Sequence, residues 1–191
     1  VEGVTVIAEH TFQHCFNIKK VIFANTVVRI EYWAFANCEG LVYIKLSINL
    51  EYMGELSFQG CNLFSVFIPP RCRKVEKDAL AYNENLKIVN VPQDVELEEG
   101  VLDATKLLVD SPFGDEEGQY DHAREEVHNW MKNINNDEKY ALHRSCTSLQ
   151  PLKQVILTII EEKGIGSFSV ENEAGITPSQ YLKENPYADI D

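Results

Sequence analysis

The stretch Ile30-Glu31-Tyr32-Trp33-Ala34-Phe35-Ala36-Asn37-Cys38 decides the fold, because its pattern recurs through the first half of the chain. Phe35 has counterparts at Phe12, Phe58 and Leu80, at intervals of 23, 23 and 22 residues. Other positions recur in step with them: Cys15, Cys38, Cys61 and Asn83, and likewise Ile18, Leu41, Leu63 and Leu86. The third copy lacks one residue after Cys61, which accounts for the shorter interval.

A unit of this length cannot bury an apolar face alone, so the copies must stack and share one core. In the stretch Leu86-Lys87-Ile88-Val89-Asn90-Val91, apolar residues alternate as in a short strand. The pattern therefore predicts a parallel ladder, with residues 21 and 23 of the first copy inside and residues 20 and 22 outside. The return side, Ile7 to Cys15, is predicted to be a short helical turn that carries Phe12 and Cys15 inward.

The repeat resembles the BspA-like leucine-rich repeat family, whose unit reads roughly I-x-x-x-A-F-x-x-C-x-x-L-x-x-V-x-I-P. Residues 30–38 carry the first part of this unit, and Leu63-Phe64-Ser65-Val66-Phe67-Ile68-Pro69 carries the second. The resemblance covers about residues 4–95. It implies an α/β solenoid: a curved, right-handed leucine-rich repeat with a parallel β-ladder on one side, and no catalytic activity in the repeat itself. We expect this domain to span residues 1–110.

Residues 111–191 are expected to form a small all-α region. Apolar spacing predicts helices over residues 120–134 and 151–163, the second ending at Gly164. Residues 140–146 resemble an ankyrin opening, and residues 175–182 resemble the next one, with Thr177 capping a helix that starts at Pro178. The combination resembles an algal and protist type of the BspA-like family with an ankyrin-like C-terminal segment.

Charge is unevenly distributed in the 191 residues, of which 45% are hydrophobic and 25% charged. The net charge of -13 lies wholly in residues 93–191, which hold 8 basic and 21 acidic residues. An acidic half disfavours nucleic acid and anionic lipid and favours basic partners, although it is also what a plain solvated surface shows. No apolar run is long enough to span a bilayer, so we expect no membrane insertion.

Reactive side chains suggest no catalytic site, metal site or cofactor. The column Cys15, Cys38 and Cys61 could hold a soft metal, but a small buried side chain is what such a column needs sterically. His10 and His14 lack the glutamate of a H-E-x-x-H zinc motif, and the pair His143 and Cys146 falls inside the ankyrin-like opening. The acidic runs around residues 94–103 and 115–117 lack the ligand spacing of a calcium loop.

What remains is a surface. Two columns of the predicted ladder point outward, and half of their residues are Ile, Tyr or Phe, which suggests either a partner-binding face or a face covered by the second half of the chain. The residues of this predicted binding face are Lys20, Ile22, Tyr43, Lys45, Ser65, Phe67, Ile88 and Asn90. Trp33 lies on the opposite side and is either a second contact or simple packing.

The leading hypothesis is a non-enzymatic scaffold that binds another protein or a multisubunit complex through the ladder face. Two alternatives stay open: a permanent structural subunit of a larger assembly, and a cell-surface adhesion module. The odd number of cysteines and the absence of any Asn-x-Ser/Thr sequon favour an intracellular setting. Since Val1 is not Met and already lies within a repeat, we expect the chain to be a processed or partial product.

Overall fold

The chain divides into two compact units, Val1–Lys132 and Asn133–Asp191. The predicted boundary at residues 110–111 falls within the first unit and stays a prediction. The computed structural model describes these residues: 3–92, 94–109, 146, 160, 161, 163–171 and 175–184. The predicted helix over residues 120–134 lies outside the described residues.

The first unit is a parallel β-solenoid of about four turns, as the repeat predicts. Each coil contributes one strand to each of two sides. One side, here called the first sheet, has the strand order β1-β3-β5-β7-β9 with every neighbouring pair parallel. Its strands are β1 (Val6–Ile7), β3 (Arg29–Ile30), β5 (Tyr52–Met53), β7 (Lys74–Val75) and β9 (Glu96–Leu97).

The other side is the predicted ladder. Its strands are β2 (Lys20–Ile22), β4 (Tyr43–Lys45), β6 (Ser65–Phe67) and β8 (Ile88–Asn90). The ladder consists of two parallel pairs, β2-β4 and β6-β8. The interruption between β4 and β6 coincides with the shortened third copy.

The return side differs from the prediction, because it holds a strand followed by a tight turn and no helix. Residues of two turn columns have a positive φ in successive coils, for example Trp33 at 55° and Asn37 at 57°. Alternate N–H groups leave the coil: those of Trp33 and Phe35 donate to Glu55 and Ser57 of the next coil. A helix would keep all these donors within its own segment, so the helical turn was a wrong prediction.

Aromatic rings fill the core between the two sides. Phe12, Phe35 and Phe58 stack in line, with centroids 4.9 and 5.1 Å apart. Phe23 meets the rings of Phe35 and Phe58 edge-on. Phe35 and Phe58 are almost fully buried, and Leu80 and Leu102 continue the same column. The one recurring aromatic position of the sequence is therefore the axis of the core.

The cysteine column is a column of hydrogen-bond donors. The thiol of Cys38 donates to the carbonyl of Phe12 over 3.0 Å, and the thiol of Cys61 donates to Phe35 over 3.3 Å. Asn83 continues the pattern, because its Nδ2 donates to the carbonyl of Phe58 over 2.9 Å. A small buried side chain is thus only part of what the column requires, since Cys38, Cys61 and Asn83 also donate to the preceding coil.

Asn83, which stands where the earlier coils have cysteine, compensates for the residue that the third coil lacks. In coils of full spacing, the N–H three residues after the column donates back to it, as Leu41 N–H does to the carbonyl of Cys38. The third coil is too short for this bond. Instead, Leu63 N–H donates to Oδ1 of Asn83 over 3.1 Å. Asn83 is fully buried and serves as donor and acceptor at once, which a thiol cannot do equally well.

A partial fifth coil closes the described part of the solenoid. After β9, Thr105 takes the column position, and its hydroxyl donates to the carbonyl of Leu102 over 2.7 Å. The short helix α1 (Lys106–Val109) follows, and Leu107 N–H donates to the carbonyl of Leu86 beside the ladder. This partial coil forms a degenerate closing turn of the repeat.

The second unit is described only in part. Cys146 is helical and buried, and residues 160, 161 and 163 are helical before Gly164, whose φ is 82°. A 3₁₀ helix (Ile165–Ser169) and helix α2 (Pro178–Glu184) follow. Thr177 Oγ1 accepts the N–H of Gln180 over 3.2 Å, so the predicted cap is confirmed. One short helix does not support an ankyrin-like unit, and the remainder of that predicted segment lies outside the described residues.

The role of Asn83 gives the first prediction. We expect Asn83→Cys to lower the free energy of unfolding by about 1–3 kcal/mol, because Leu63 N–H loses the one acceptor that it has among the described residues, in a buried site. Inserting a Glu between Cys61 and Asn62 in the same variant should recover most of the loss, since it restores the spacing of the other coils. Denaturant unfolding measures both. An insertion that leaves the loss unchanged would refute this account of Asn83.

Gly40 gives the second prediction. A Cβ at this position would overlap the carbonyl oxygen of Phe16 in the first coil. We expect Gly40→Ala to lower the free energy of unfolding by about 2 kcal/mol, as the two coils must separate locally. Gly166→Ala is the control, because its Cβ would have no atom of a non-neighbouring residue within 4 Å in the part of the chain that the structure describes. Equal thermal melting curves for the two variants would contradict the close approach of Gly40 to the backbone of the first coil.

Candidate functional site

The structure brings the predicted ladder residues into two columns. Lys20 pairs with Tyr43, and Ser65 pairs with Ile88. In the other column, Ile22 pairs with Lys45, and Phe67 pairs with Asn90. The structure describes only the backbone of Asn90.

The two columns differ in exposure. Lys20 is exposed, but Tyr43, Ser65 and Ile88 are buried, with exposed fractions of 4–6%. The Lys20 ammonium lies 4.3 Å from the centre of the Tyr43 ring, which accounts for part of that burial. In the other column Ile22 is 58% exposed, and Lys45 and Phe67 are half-buried. Apart from Lys20, the accessible part of the predicted face is therefore the column Ile22, Lys45 and Phe67, here called the outer column.

The first sheet carries a charged network that sequence reasoning missed. Arg29 Nε donates to Glu31 over 2.8 Å, and its guanidinium lies 3.8 Å from the centre of the Tyr52 ring. On the next strand, Lys74 pairs with Glu98 over 2.6 Å and with Glu76 over 3.4 Å. The repeat spacing could have revealed this network, because Arg29, Tyr52 and Lys74 are separated by the same intervals as the repeat columns.

The charged side chains of this network form ion pairs with one another. The pKa of Arg29 is raised by its hydrogen bond to Glu31, and the pKa of Lys74 is raised by its hydrogen bond to Glu98. Burial and the neighbouring Glu76 carboxylate raise the pKa of the Tyr52 hydroxyl above its usual range. Because the charges are paired within the sheet, we read this face as a stabilising network.

Trp33 belongs to an aromatic cluster on the turn side. Its ring stacks on Tyr32 at 5.4 Å, and the His10 ring meets Trp33 at 5.5 Å. Trp33 Nε1 is buried and has no hydrogen-bond partner among the described residues. Of the two readings that the sequence left open, the contacts favour packing.

The reactive side chains form no metal-binding cluster within the described ranges. No group of three or more His, Cys, Asp or Glu in them could hold a metal ion. His10 and His14 each sit at a positive φ in the turn, and His10 Nδ1 lies 2.9 Å from Oε1 of Gln13. His143 lies outside the described residues, and so does the acidic run at residues 115–117.

Most of the cysteines lie in protected places. None of the five forms a disulfide, and only Cys15 is not buried. The pKa of the Cys61 thiol is raised, because the neighbouring Cys38 sulfur and burial both favour its protonated form. Burial alone raises the pKa of Cys72 to about 11, with a smaller opposing effect from the carbonyl of Lys74. The raised pKa values of Cys61 and Cys72 make these two thiols poor nucleophiles at neutral pH.

Two parallel strands per coil, a coil of 22–23 residues and a column of donors to the preceding coil define a leucine-rich repeat solenoid. The family model described as BspA type Leucine rich repeat region, in 6 copies, matches residues 5–109. The chain therefore belongs to the BspA-type leucine-rich repeat family, whose repeat is a non-enzymatic scaffold fold. The match ends before the second unit, so the algal and protist type and the ankyrin-like segment gain no support from it.

Two solved structures resemble the chain. A leucine rich cell surface protein from Faecalibacterium prausnitzii A2-165 is 24% identical, with a TM-score of 0.51, over 71% of this chain and 35% of that one. A leucine-rich repeat protein from Bacteroides ovatus ATCC 8483 is 23% identical, with a TM-score of 0.40, over 53% and 33%. The chain thus spans about a third of the length of both. No curated protein matches it.

The expected intracellular location is contradicted by these comparisons. The Faecalibacterium protein, which has the same repeat fold, is described as a cell surface protein. The sequence signals for an intracellular location were the odd number of cysteines and the missing sequons. Buried thiols persist in either setting, because oxidants do not reach them. In the part of the chain that the structure describes, no helix is long and apolar enough to cross a membrane.

The Tyr52 hydroxyl gives a pH-dependent prediction. Its pKa is raised in the folded state, so its contribution to stability is complete below pH 10 and declines as the pH rises from there towards the folded-state pKa. We expect Tyr52→Phe to flatten the fall in unfolding free energy between about pH 9 and 11. Tyr82→Phe is the control, because Tyr82 is 51% exposed. A Tyr52→Phe profile identical to that of the parent chain would refute the assignment.

Proposed function

We propose that the solenoid is a protein-interaction module whose contact surface is the outer column. The observation that carries the proposal is the pairing of exposed Ile22 with Lys45 on adjacent strands, continued by half-buried Phe67. The family supports it, because stacked repeats create extended surfaces that serve binding. Lys45 has no ion pair among the described residues, so a partner that presents a carboxylate beside an apolar side chain would complement this column.

A surface or secreted location is part of this proposal. It draws support from the description of the Faecalibacterium protein, whose fold this chain shares. Adhesion to a neighbouring cell or matrix protein is the second candidate function, favoured by the same description. A permanent place in a larger assembly is the remaining alternative. The buried column Tyr43, Ser65 and Ile88 is a poor contact site in any of these settings.

Affinity capture with a double variant tests the proposal. The chain and its variant Ile22→Ser/Lys45→Ala are used as baits for surface extracts and whole lysates of the source cells, with mass spectrometry as the readout. We expect a small set of partners to bind the variant about 10-fold or more weakly, because contact residues at the centre of an interface dominate its affinity.

Tyr82→Ser is the matched control, since Tyr82 is also an exposed apolar side chain of the solenoid but lies on the turn side. Partners found only in surface extracts would support adhesion or surface binding. Equal capture by all three baits would refute the outer column as the contact surface.

A further inference from the structure

The ladder side of the solenoid carries basic side chains and no acidic ones. The stretches that hold its strands, residues 16–27, 40–50, 61–72 and 85–92, contain no Asp or Glu. Their basic residues are Lys19, Lys20, Lys45, Arg71 and Lys87. The outer column, with exposed Ile22 beside Lys45, therefore lies in a surface of one charge sign, which suits an acidic partner.

The second unit presents a short loop with exposed apolar side chains. The 3₁₀ helix (Ile165–Ser169) lies between Gly164 and Val170, and residues 164–171 are here called the 3₁₀ loop. Ile165 is 81% exposed, more than any other large apolar side chain of the described residues, and Val170 is 58% exposed. Single exposed apolar residues are ordinary, but two on one short loop are typical of a contact site.

Hydrogen bonds fix the backbone of the 3₁₀ loop. The N–H of Gly164 donates to the carbonyl of Ile160 over 2.7 Å. The N–H and the Oγ of Ser167 both donate to the carbonyl of Gly164, over 3.0 and 2.6 Å. A loop that is ordered before binding loses little conformational entropy when it makes a contact.

Carboxylates flank the exposed apolar side chains of the 3₁₀ loop. Glu171 follows Val170 directly, and Glu161 lies in the helix that ends before Gly164. Both glutamates are exposed, and neither has an ion pair among the residues that the structure describes. The loop thus offers aliphatic side chains beside an unpaired carboxylate, which complements the isoleucine and lysine of the outer column.

The two surfaces match in charge and in apolar character, and this match selects the occupant of the outer column. We propose that the outer column of one copy binds the 3₁₀ loop of a second copy. Ile165 and Val170 pack against Ile22, and the Glu171 carboxylate pairs with the Lys45 ammonium. A reciprocal pair of such contacts closes into a dimer, whereas a one-way contact extends into a chain of copies.

Charge reversal on the full chain tests the proposal. Sedimentation equilibrium measures the association constant of the parent chain, of Lys45→Glu, of Glu171→Lys and of the double variant. We expect each single variant to associate about 10-fold or more weakly, because like charges then face each other. The double variant Lys45→Glu/Glu171→Lys should recover most of the loss, since it restores the pair with its signs exchanged.

Two matched controls carry the same charge changes in the fourth coil. Glu84→Lys and Lys77→Glu alter exposed residues outside both surfaces. They are needed because the net charge of -13 repels two copies, so that removal of any acid favours association in general. Glu171→Lys should weaken association against this trend, whereas Glu84→Lys should not weaken it.

A parent chain that stays monomeric at about 100 µM would overturn the proposal, because a contact with a Kd of about 10 µM is then mostly formed. Association that both single variants leave unchanged, or that Glu84→Lys weakens equally, would overturn it too. The inference rests on the proposed function, but its failure is separate. A monomeric chain removes a second copy as the occupant, while the capture experiment still tests the outer column against other partners.

Discussion

The structure depends on the backbone hydrogen bonds that join each coil to the next. In the turns alternate N–H groups donate to the following coil, as Phe12 does to Ala34, and in the first sheet they donate to the preceding coil, as Glu31 does to Ile7. Each bond contributes only about 1 kcal/mol net, but an unmatched buried group costs more. Every coil must therefore keep its donors and acceptors in register with both neighbours, and this demand fixes the coil length at 22–23 residues.

The third coil shows how strict the register is. One missing residue interrupts the ladder between β4 and β6 and removes the acceptor that Leu63 N–H would otherwise use. Asn83 in the next coil supplies another acceptor for Leu63 N–H through its Oδ1. Its Nδ2 still donates to the carbonyl of Phe58, as the cysteine thiols of this column donate in other coils. A deletion in one repeat and a substitution in the next are thus one structural event, although they lie 20 residues apart in the chain.

Much of the solenoid could be predicted from the sequence because its columns are chemically uniform. The ladder strands and the stacked rings of Phe12, Phe35 and Phe58 follow from apolar residues at constant intervals. The turn could not be predicted in the same way. Its left-handed residues include Trp33 and Leu56, which carry no glycine-like signal, because the bonds to adjacent coils hold them in place.

The candidate surface was predictable in register but not in exposure. Alternation along a strand says which side chains share a face, yet the burial of Tyr43 and Ile88 depends on what lies over that face. The Arg29, Tyr52 and Lys74 network was hidden for the opposite reason, since its column changes chemical type at each coil. Location was the weakest inference, because cysteine number says little when the thiols are buried.

The opposed directions of hydrogen bonding in turn and strand have an electrostatic consequence. In an α-helix all peptide dipoles align, so charge accumulates at the two ends. Here the N–H groups of Phe12 and of Glu31 point in opposite senses along the solenoid axis. The peptide dipoles of turn and first sheet therefore oppose one another within each coil. Adding coils to such a stack builds up less charge at its two ends than adding the same number of aligned peptides to a helix would.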